Sequence, residues 1–224
     1  MKKHLFAIAV TALAAGTVFA QANDTLAKIK SSGAITLGVR ESSGLSYTLG
    51  NGKYVGFHTE MAERIVTDVQ KQLGLTKLET KYQPVTSQNR IPLVTNGTVD
   101  LECGSTTNNA ARQKDVAFGV TTYVEEVRMV VKADAKITSI KDLNGKTVAT
   151  TTGTTSVQTL LKNERASGFD FKEVYGKDHA DSFLMLETGR ADAFVMDGSI
   201  LAANVSKSKN PADFKIVGEV LSVE

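Results

Sequence analysis

Apolar and polar positions follow two rhythms along this chain. Short apolar runs, the mark of buried strands, alternate with stretches in which apolar residues recur every three or four positions, the mark of helices. Ile35–Val39 (ITLGV) reads as a buried strand. From Phe57 to Leu73, Met61, Ile65, Val69 and Leu73 fall four apart and predict a helix with one apolar face. Gly74 stops it. Leu78–Gln83 alternates as a strand does. Arg90–Thr95 predicts a short helix with Pro92 in its first turn, where proline is tolerated. Asn96-Gly97 signals a turn, and Val99–Cys103 reads as the next strand. The series is βαβαβ, which implies a largely parallel sheet covered by helices.

A second series follows. Strands are expected at Thr147–Thr150, Phe171–Tyr175 and Ala193–Met196, and helices at Thr154–Ala166, Asp181–Glu187 and Ile200–Ser206. Lys215–Val217 adds a last short strand. The two series share a signature. "LVTNGTVDLEC" and "LETGRADAFVM" each run from a helix end through a glycine (Gly97, Gly189) to an aspartate three residues later (Asp100, Asp192) and into a strand. Two similarly built lobes follow, over 23–123 and 124–218. The β-rich stretch Val116–Val131, with Thr121–Val124 extended, reads as a crossover between them. Val217–Glu224 reads as a second crossing, in which residues 219–224 begin a return to the first lobe. No destination follows in the sequence, which is expected to be truncated.

The first 22 residues have a different character. Lys2 and Lys3 precede the uncharged stretch Leu5–Phe19, and Ala20-Gln21-Ala22 fits a small-x-small cleavage site. The stretch is shorter than the ~20 residues a bilayer crossing needs. Residues 1–22 therefore read as an export signal. Without them the 26 basic residues fall to 24, equal to the 24 acidic ones. A neutral mature chain without tryptophan is not expected to bind nucleic acid. Export leads to an oxidising compartment, yet the only cysteine, Cys103, has no partner within the chain.

In parallel α/β sheets ligands bind beyond the carboxyl ends of the strands. Arg40, Glu41 and Ser42 follow the first strand, Ser87, Asn89 and Arg90 the second, and Ser105, Thr106, Thr107, Asn109 and Arg112 the third. In the second series "TTGTTS" (151–156), with Thr155, follows the first strand, Asp178 and His179 the second, and Asp197 the third. Arg40, Arg90, Arg112 and His179 thus face Asp197 as the principal acid. A guanidinium fork fits a carboxylate through paired hydrogen bonds, and the helix opened by TTGTTS also favours an anion. The pattern calls for a ligand with two anionic groups and one cationic group, as in an acidic amino acid. Each residue also has a plainer role. Arg90 and Arg112 fit exposed helix faces, TTGTTS a βα loop, His179 a structural position, and Asp197 a helix cap. Their common place at strand ends favours the ligand.

Catalysis finds little support. Ser156, His179 and Asp197 lack a nucleophile-elbow pattern. Cys103, which would pair with His179, ends a buried strand, where a thiol acts as a small apolar group. His58 and His179 have no nearby ligand cluster, so no metal is expected, and no phosphate loop or other cofactor motif is present.

"GVRESS" (38–43), "VTSQNRIPLVTNGTVDLECGSTTNNAARQ" (85–113), "TTGTTS" (151–156), "GKDHADSF" (176–183) and "LETGRADAFVMD" (186–197) resemble the periplasmic solute-binding proteins of amino-acid ABC transporters, in their glutamate/aspartate-binding branch. The resemblance covers nearly the whole mature chain. It implies a type II periplasmic binding protein fold, α/β, with two hinged lobes of mixed, mostly parallel sheet joined by two crossover segments, the C-terminal part of the first lobe being absent. It implies a periplasmic monomer that captures glutamate or aspartate in the cleft and delivers it to an inner-membrane permease, without cofactor, metal or covalent chemistry. An exported dehydratase or lyase on the same fold is the alternative. By the same resemblance Arg40, Ser87, Arg90 and His179 hold the ligand's side-chain carboxylate. Ser105, Thr107, Arg112 and Thr155 cradle its α-carboxylate, and Asp197 with Ser105 accepts from its ammonium. Gly44–Tyr47 departs from the Pro-Phe pattern of many relatives, leaving Tyr47 as a candidate aromatic wall.

Overall fold

The computed structural model describes Asp24–Glu224, so the expected export segment lies outside the described residues. The chain opens with a helix, α1 (Thr25–Ser32), then β1 (Ala34–Val39). A hairpin, β2 (Tyr47–Gly50) and β3 (Lys53–Val55), leads into α2 (Phe57–Gln72). β4 (Glu79–Pro84), α3 (Arg90–Thr95) and β5 (Leu101–Glu102) complete the first series. β1 lies between β4 and β5 and pairs with both in parallel. α1 and the hairpin carried too little periodicity to be anticipated. The expected strand Val99–Cys103 narrows to two paired residues.

α2 departs from its expected face. Its stripe against the sheet runs through Thr59, Ala62, Val66, Val69 and Leu73, packed on Ile35, Leu37 and Val39. Met61 and Ile65 sit about a quarter-turn away and line a groove with Ile91, Val94 and Val116. A helix with apolar residues on two adjoining faces can bury either. Val69 and Leu73 of the expected row do reach the core, while Met61 and Ile65 give way there to Ala62 and Val66.

The second lobe consists of β6 (Glu126–Lys132), β7 (Thr147–Thr151), α4 (Thr155–Ser167), β8 (Lys172–Gly176), α5 (His179–Glu187), β9 (Ala193–Asp197), α6 (Gly198–Lys207) and β10 (Phe214–Val223). Its sheet order is β10-β6-β9-β7-β8, with β7 parallel to β8 and β9, and β6 antiparallel to β9 and β10. Both faces are covered. Val127, Met129, Val131, Val148, Ala193 and Val195 point to one core with Leu160 of α4. Val130, Ala149, Phe194 and Met196 point to the other, with Phe183, Leu186, Ile200 and Leu201 of α5 and α6. Burial on both faces explains why these strands read as continuous apolar runs.

The shared aspartates do the same work in each lobe. Asp100 Oδ2 accepts from the Thr36 N–H of β1 at 2.8 Å, and Asp192 Oδ2 accepts from the Thr147 N–H of β7 at 2.8 Å. Their own N–H groups bond the carbonyls of the same two residues, at 2.9 and 2.7 Å. Each aspartate ties the start of the third strand to the first.

The crossings differ from expectation in one respect. Thr121–Val124 is exposed and forms no regular strand. The final strand is much longer than Lys215–Val217. It pairs with β6 from Phe214 to Val217, shifts register after Val217, and resumes at Ser222 and Val223. Gly218 sits at the shift with φ +83°, a conformation that strains any residue with a Cβ, and an added Cβ would also meet the Met129 methyl, which would have to move.

Candidate functional site

The lobes meet along the carboxyl ends of their strands, at several close contacts. A Cβ added to Gly44 would lie 2.5 Å from the Ser199 carbonyl oxygen at the start of α6, and one on Gly153 would lie 2.7 Å from the Gln88 α-carbon. Between them opens a cleft, walled by Arg90, Ser105 and Thr107 from one side and Asp197 and Ser199 from the other, that runs on into the groove of Met61, Ile65, Ile91 and Val94, the whole cavity measuring about 390 Å³.

Two arginines are buried at its basic end. Arg40 is fully covered. Its Nη1 donates to Ser105 Oγ at 3.3 Å, and its Nη2 reaches Ser87 Oγ at 3.1 Å, Asp178 Oδ1 at 2.9 Å and His179 Nε2 at 3.0 Å. Since Arg40 can only donate, His179 Nε2 accepts, and its proton sits on Nδ1, facing Thr151 Oγ1 at 3.1 Å. Burial, then the Arg40 charge, hold His179 well below its ordinary value; Asp178 pulls the other way, and Arg90 adds a smaller push down. The imidazole is therefore neutral and satisfied on both nitrogens.

Arg90 is different. It is 2% exposed, yet the hydrogen bond its guanidinium makes is Nη1 to Ser105 Oγ, at 3.3 Å, and its Nε has no partner. Burial and the neighbouring Arg40 push it down to about 9, against the opposing pull of Glu102. It remains cationic at neutral pH, but at a cost. A buried charge without a counter-ion costs several kcal/mol in effective terms, and a charged hydrogen bond regains only ~1.5–3 kcal/mol. A carboxylate in the cleft would relieve that cost. The exposed-helix reading of Arg90 is excluded.

The hydroxyl cradle also assembles. Thr107 Oγ1 and Thr155 Oγ1 lie 3.3 Å apart across the cleft, and both donate to Glu224 Oε2, at 2.6 and 2.5 Å. The pair thus already holds a carboxylate oxygen. Arg112 stands beside it, its Nη1 on the Thr107 carbonyl at 2.9 Å and its Nη2 on the Gly153 carbonyl at 3.2 Å. Asn109 Oδ1 accepts from the Arg112 N–H at 3.0 Å and caps the short turn that carries it. Burial lowers Arg112, while Glu224, Glu102 and Asp197 oppose the shift.

Asp197 ends β9 at the opposite, acidic end. It stands at the cap position of α6 but makes no side-chain capping bond, so that plainer role is not the one it plays. Its contact is Ser156 Oγ at 3.4 Å. Burial, Glu224 and Glu125 push its carboxyl up to about 7, against Arg90 and Ser156. A cation placed beside it would reverse the shift.

Cys103 packs against the first lobe's core, and burial with Glu102 pushes its thiol up to about 11, so it is no nucleophile at neutral pH. Tyr47 does not line the cleft, and its ring face carries the Lys207 ammonium at 4.1 Å, a contact between lobes. Sequence reasoning missed Glu125 and Glu224, which a pairing of the two crossings would have revealed, and the partnership of Ser42 with Asp178. No group of His, Cys, Asp and Glu suited to a metal ion occurs among the described residues.

Comparisons with known proteins agree with this architecture. Residues 35–212 match the family described as bacterial extracellular solute-binding proteins, family 3. The chain is 44% identical over 220 residues to an L-glutamate/L-aspartate-binding protein of Pseudomonas aeruginosa, spanning 97% of this chain and 73% of that one. It is 43% identical over 232 residues to a glutamate/aspartate import solute-binding protein of Escherichia coli, spanning 100% and 76%. Holo ArgBP from T. maritima superposes with a TM-score of 0.74 at 31% identity, over 88% of this chain and 82% of that one. The fold is that of the type II periplasmic binding proteins. These relatives are named for binding and import rather than for catalysis, and the exported-enzyme alternative gains nothing from them. The chain belongs to the family-3 extracellular solute-binding proteins.

Proposed function

We propose that this member of the solute-binding family captures L-glutamate or L-aspartate in the cleft between its lobes and presents it to an ABC permease complex in the membrane. The observation that carries the reading is Arg90, a buried guanidinium with a single hydroxyl partner at the wall of a small cleft. An anionic ligand side chain supplies the missing charge. Relatives at 43–44% identity are named for the same two amino acids.

In this reading Arg90, with Arg40, Ser87 and His179 supporting it, takes the side-chain carboxylate. Ser105, Thr107, Arg112 and Thr155 take the α-carboxylate, in the place where Glu224 now lies across the two threonines. Asp197, with Ser105, takes the ammonium. The lobes over 23–123 and 124–218 close on the ligand because it touches both only when they meet. The protein acts as a monomer in the periplasm, reached through the export signal of residues 1–22, without nucleic acid, metal or cofactor.

Calorimetry on the mature full-length chain tests this. Glutamate and aspartate are expected to bind at least about 100-fold more tightly than glutamine and asparagine, because an amide leaves the Arg90 charge unpaired. Equal or tighter binding of glutamine would sink the reading.

A further inference from the structure

Asp178 stands at the cap position of α5, yet its side chain does not cap that helix. It reaches instead into the other lobe. Oδ1 accepts from Arg40 Nη2 at 2.9 Å, and Oδ2 accepts from Ser42 Oγ at 2.8 Å. Ser42 returns the exchange, since its Oγ accepts from the Ala180 N–H in the first turn of α5 at 3.3 Å. The helix start in one lobe is thus capped by a serine of the other, while the aspartate released from that task grips the other lobe's arginine.

The groups around it are few and specific. Arg40 is wholly buried and the Asp178 side chain is 18% exposed, so the pair is largely shielded from water. Burial alone would raise the Asp178 carboxyl; the Arg40 charge, with the Ser42 hydroxyl, holds it below the usual carboxylate range. Arg40 shares the Ser105 hydroxyl with Arg90. A shift of Arg40 therefore moves the hydroxyl that orients Arg90.

We infer that Asp178, with Ser42, is a positioning residue that latches the two lobes through Arg40 and so sets the lifetime of the bound state. The inference rests on the acidic-amino-acid reading of the cleft and extends it to a residue that does not itself touch the ligand. The latch exists only where the strand ends of both lobes meet. Opening the cleft breaks the Arg40–Asp178, Ser42–Asp178, Ala180–Ser42 and Arg40–His179 hydrogen bonds and uncovers Arg40. Dissociation, more than association, should carry the effect.

The test uses the mature full-length chain, with radiolabelled glutamate released into an excess of unlabelled ligand, calorimetry for affinity, and melting of the ligand-free protein. Asp178→Asn is expected to weaken glutamate binding about tenfold or more, chiefly through faster release, with little change in melting temperature. Ser42→Ala should shift release in the same direction by less. In an Arg40→Ala background, Asp178→Asn should add little, because the aspartate acts through that arginine. Unchanged release in Asp178→Asn would overturn the latch. So would a fall in melting temperature with affinity intact, which is the signature of a helix-end role alone. An equal cost in the Arg40→Ala background would overturn it too. A wild-type chain that binds no glutamate overturns the ligand reading and the latch together. Normal wild-type binding with an unaltered variant overturns the latch only.

Discussion

The two ends of the cleft have opposite defects of charge. At the basic end two guanidinium groups are buried, and one of them, Arg90, has a single hydroxyl for company. At the acidic end Asp197 is buried beside Glu125 and Glu224, and the crowding of like charges adds to burial in pushing it up to about 7. Each defect eases the other across the cleft only in part, since Arg90 stays depressed to about 9 and Asp197 stays raised to about 7. Each asks for a ligand group of its own sign preference, an anion at one end and a cation at the other. The Thr107–Thr155 pair between them holds a carboxylate oxygen without needing a charge of its own. On the proposed reading, three unlike demands in one cleft suit a zwitterion with an additional carboxylate, and buried imbalance, more than any single contact, sets the choice.

The comparison breaks most easily at Arg90. Arg90→Ala should cost about 1.5–3 kcal/mol of glutamate affinity, roughly 10- to 150-fold, and should erase most of the preference over glutamine. Unchanged affinity by calorimetry would mean that the basic end does not meet the ligand.

The acidic end can be probed by pH. Asp197 is raised, so it holds a proton below about pH 7 and must lose it before an ammonium can pair with it as an anion. Glutamate affinity should therefore fall about tenfold per unit as pH drops below 7 toward 5, with proton release on binding in that range. The stability of the unliganded fold should move the opposite way: the raised carboxyl favours folding in acid, and that contribution fades as pH rises toward 7. Titration calorimetry in buffers of differing ionisation heat reads the proton directly, and a flat profile would sever Asp197 from the ligand.

The smallest effect is expected at Glu224. Its carboxylate lies on the two threonine hydroxyls and raises Asp197. Glu224→Gln should weaken that competition and let Asp197 ionise more readily, so glutamate should bind a few-fold more tightly. Weaker binding would show that Glu224 supports the cradle instead of occupying it.

Much of the fold was legible in the sequence because burial on both sheet faces leaves a strong mark. Ala193–Met196 and Thr147–Thr150 are apolar or small throughout and appear where expected. The glycine–aspartate repeat pointed to two lobes, and Asp100 and Asp192 make matching bonds. The lobe-one hairpin was less legible, since Tyr47–Val55 is largely exposed or half-buried and has no clear alternation. The face of α2 was misjudged because Met61 and Ile65 are as apolar as Ala62 and Val66, and only packing against β1 separates the rows.

By itself, the sequence determined the two βα series, the strand ends at which Arg40, Arg90, Arg112, His179 and Asp197 collect, and the resemblance that assigns them to an acidic amino acid. These are local matters of periodicity, turn residues and motif. The tertiary structure alone decided which arginine has a carboxylate partner, Arg40 on Asp178, and which is left wanting an anion. It also placed Asp178 of one lobe on Arg40 of the other, 138 residues apart in sequence. Charge balance in a buried site depends on distance and desolvation between distant segments, and no local pattern records either.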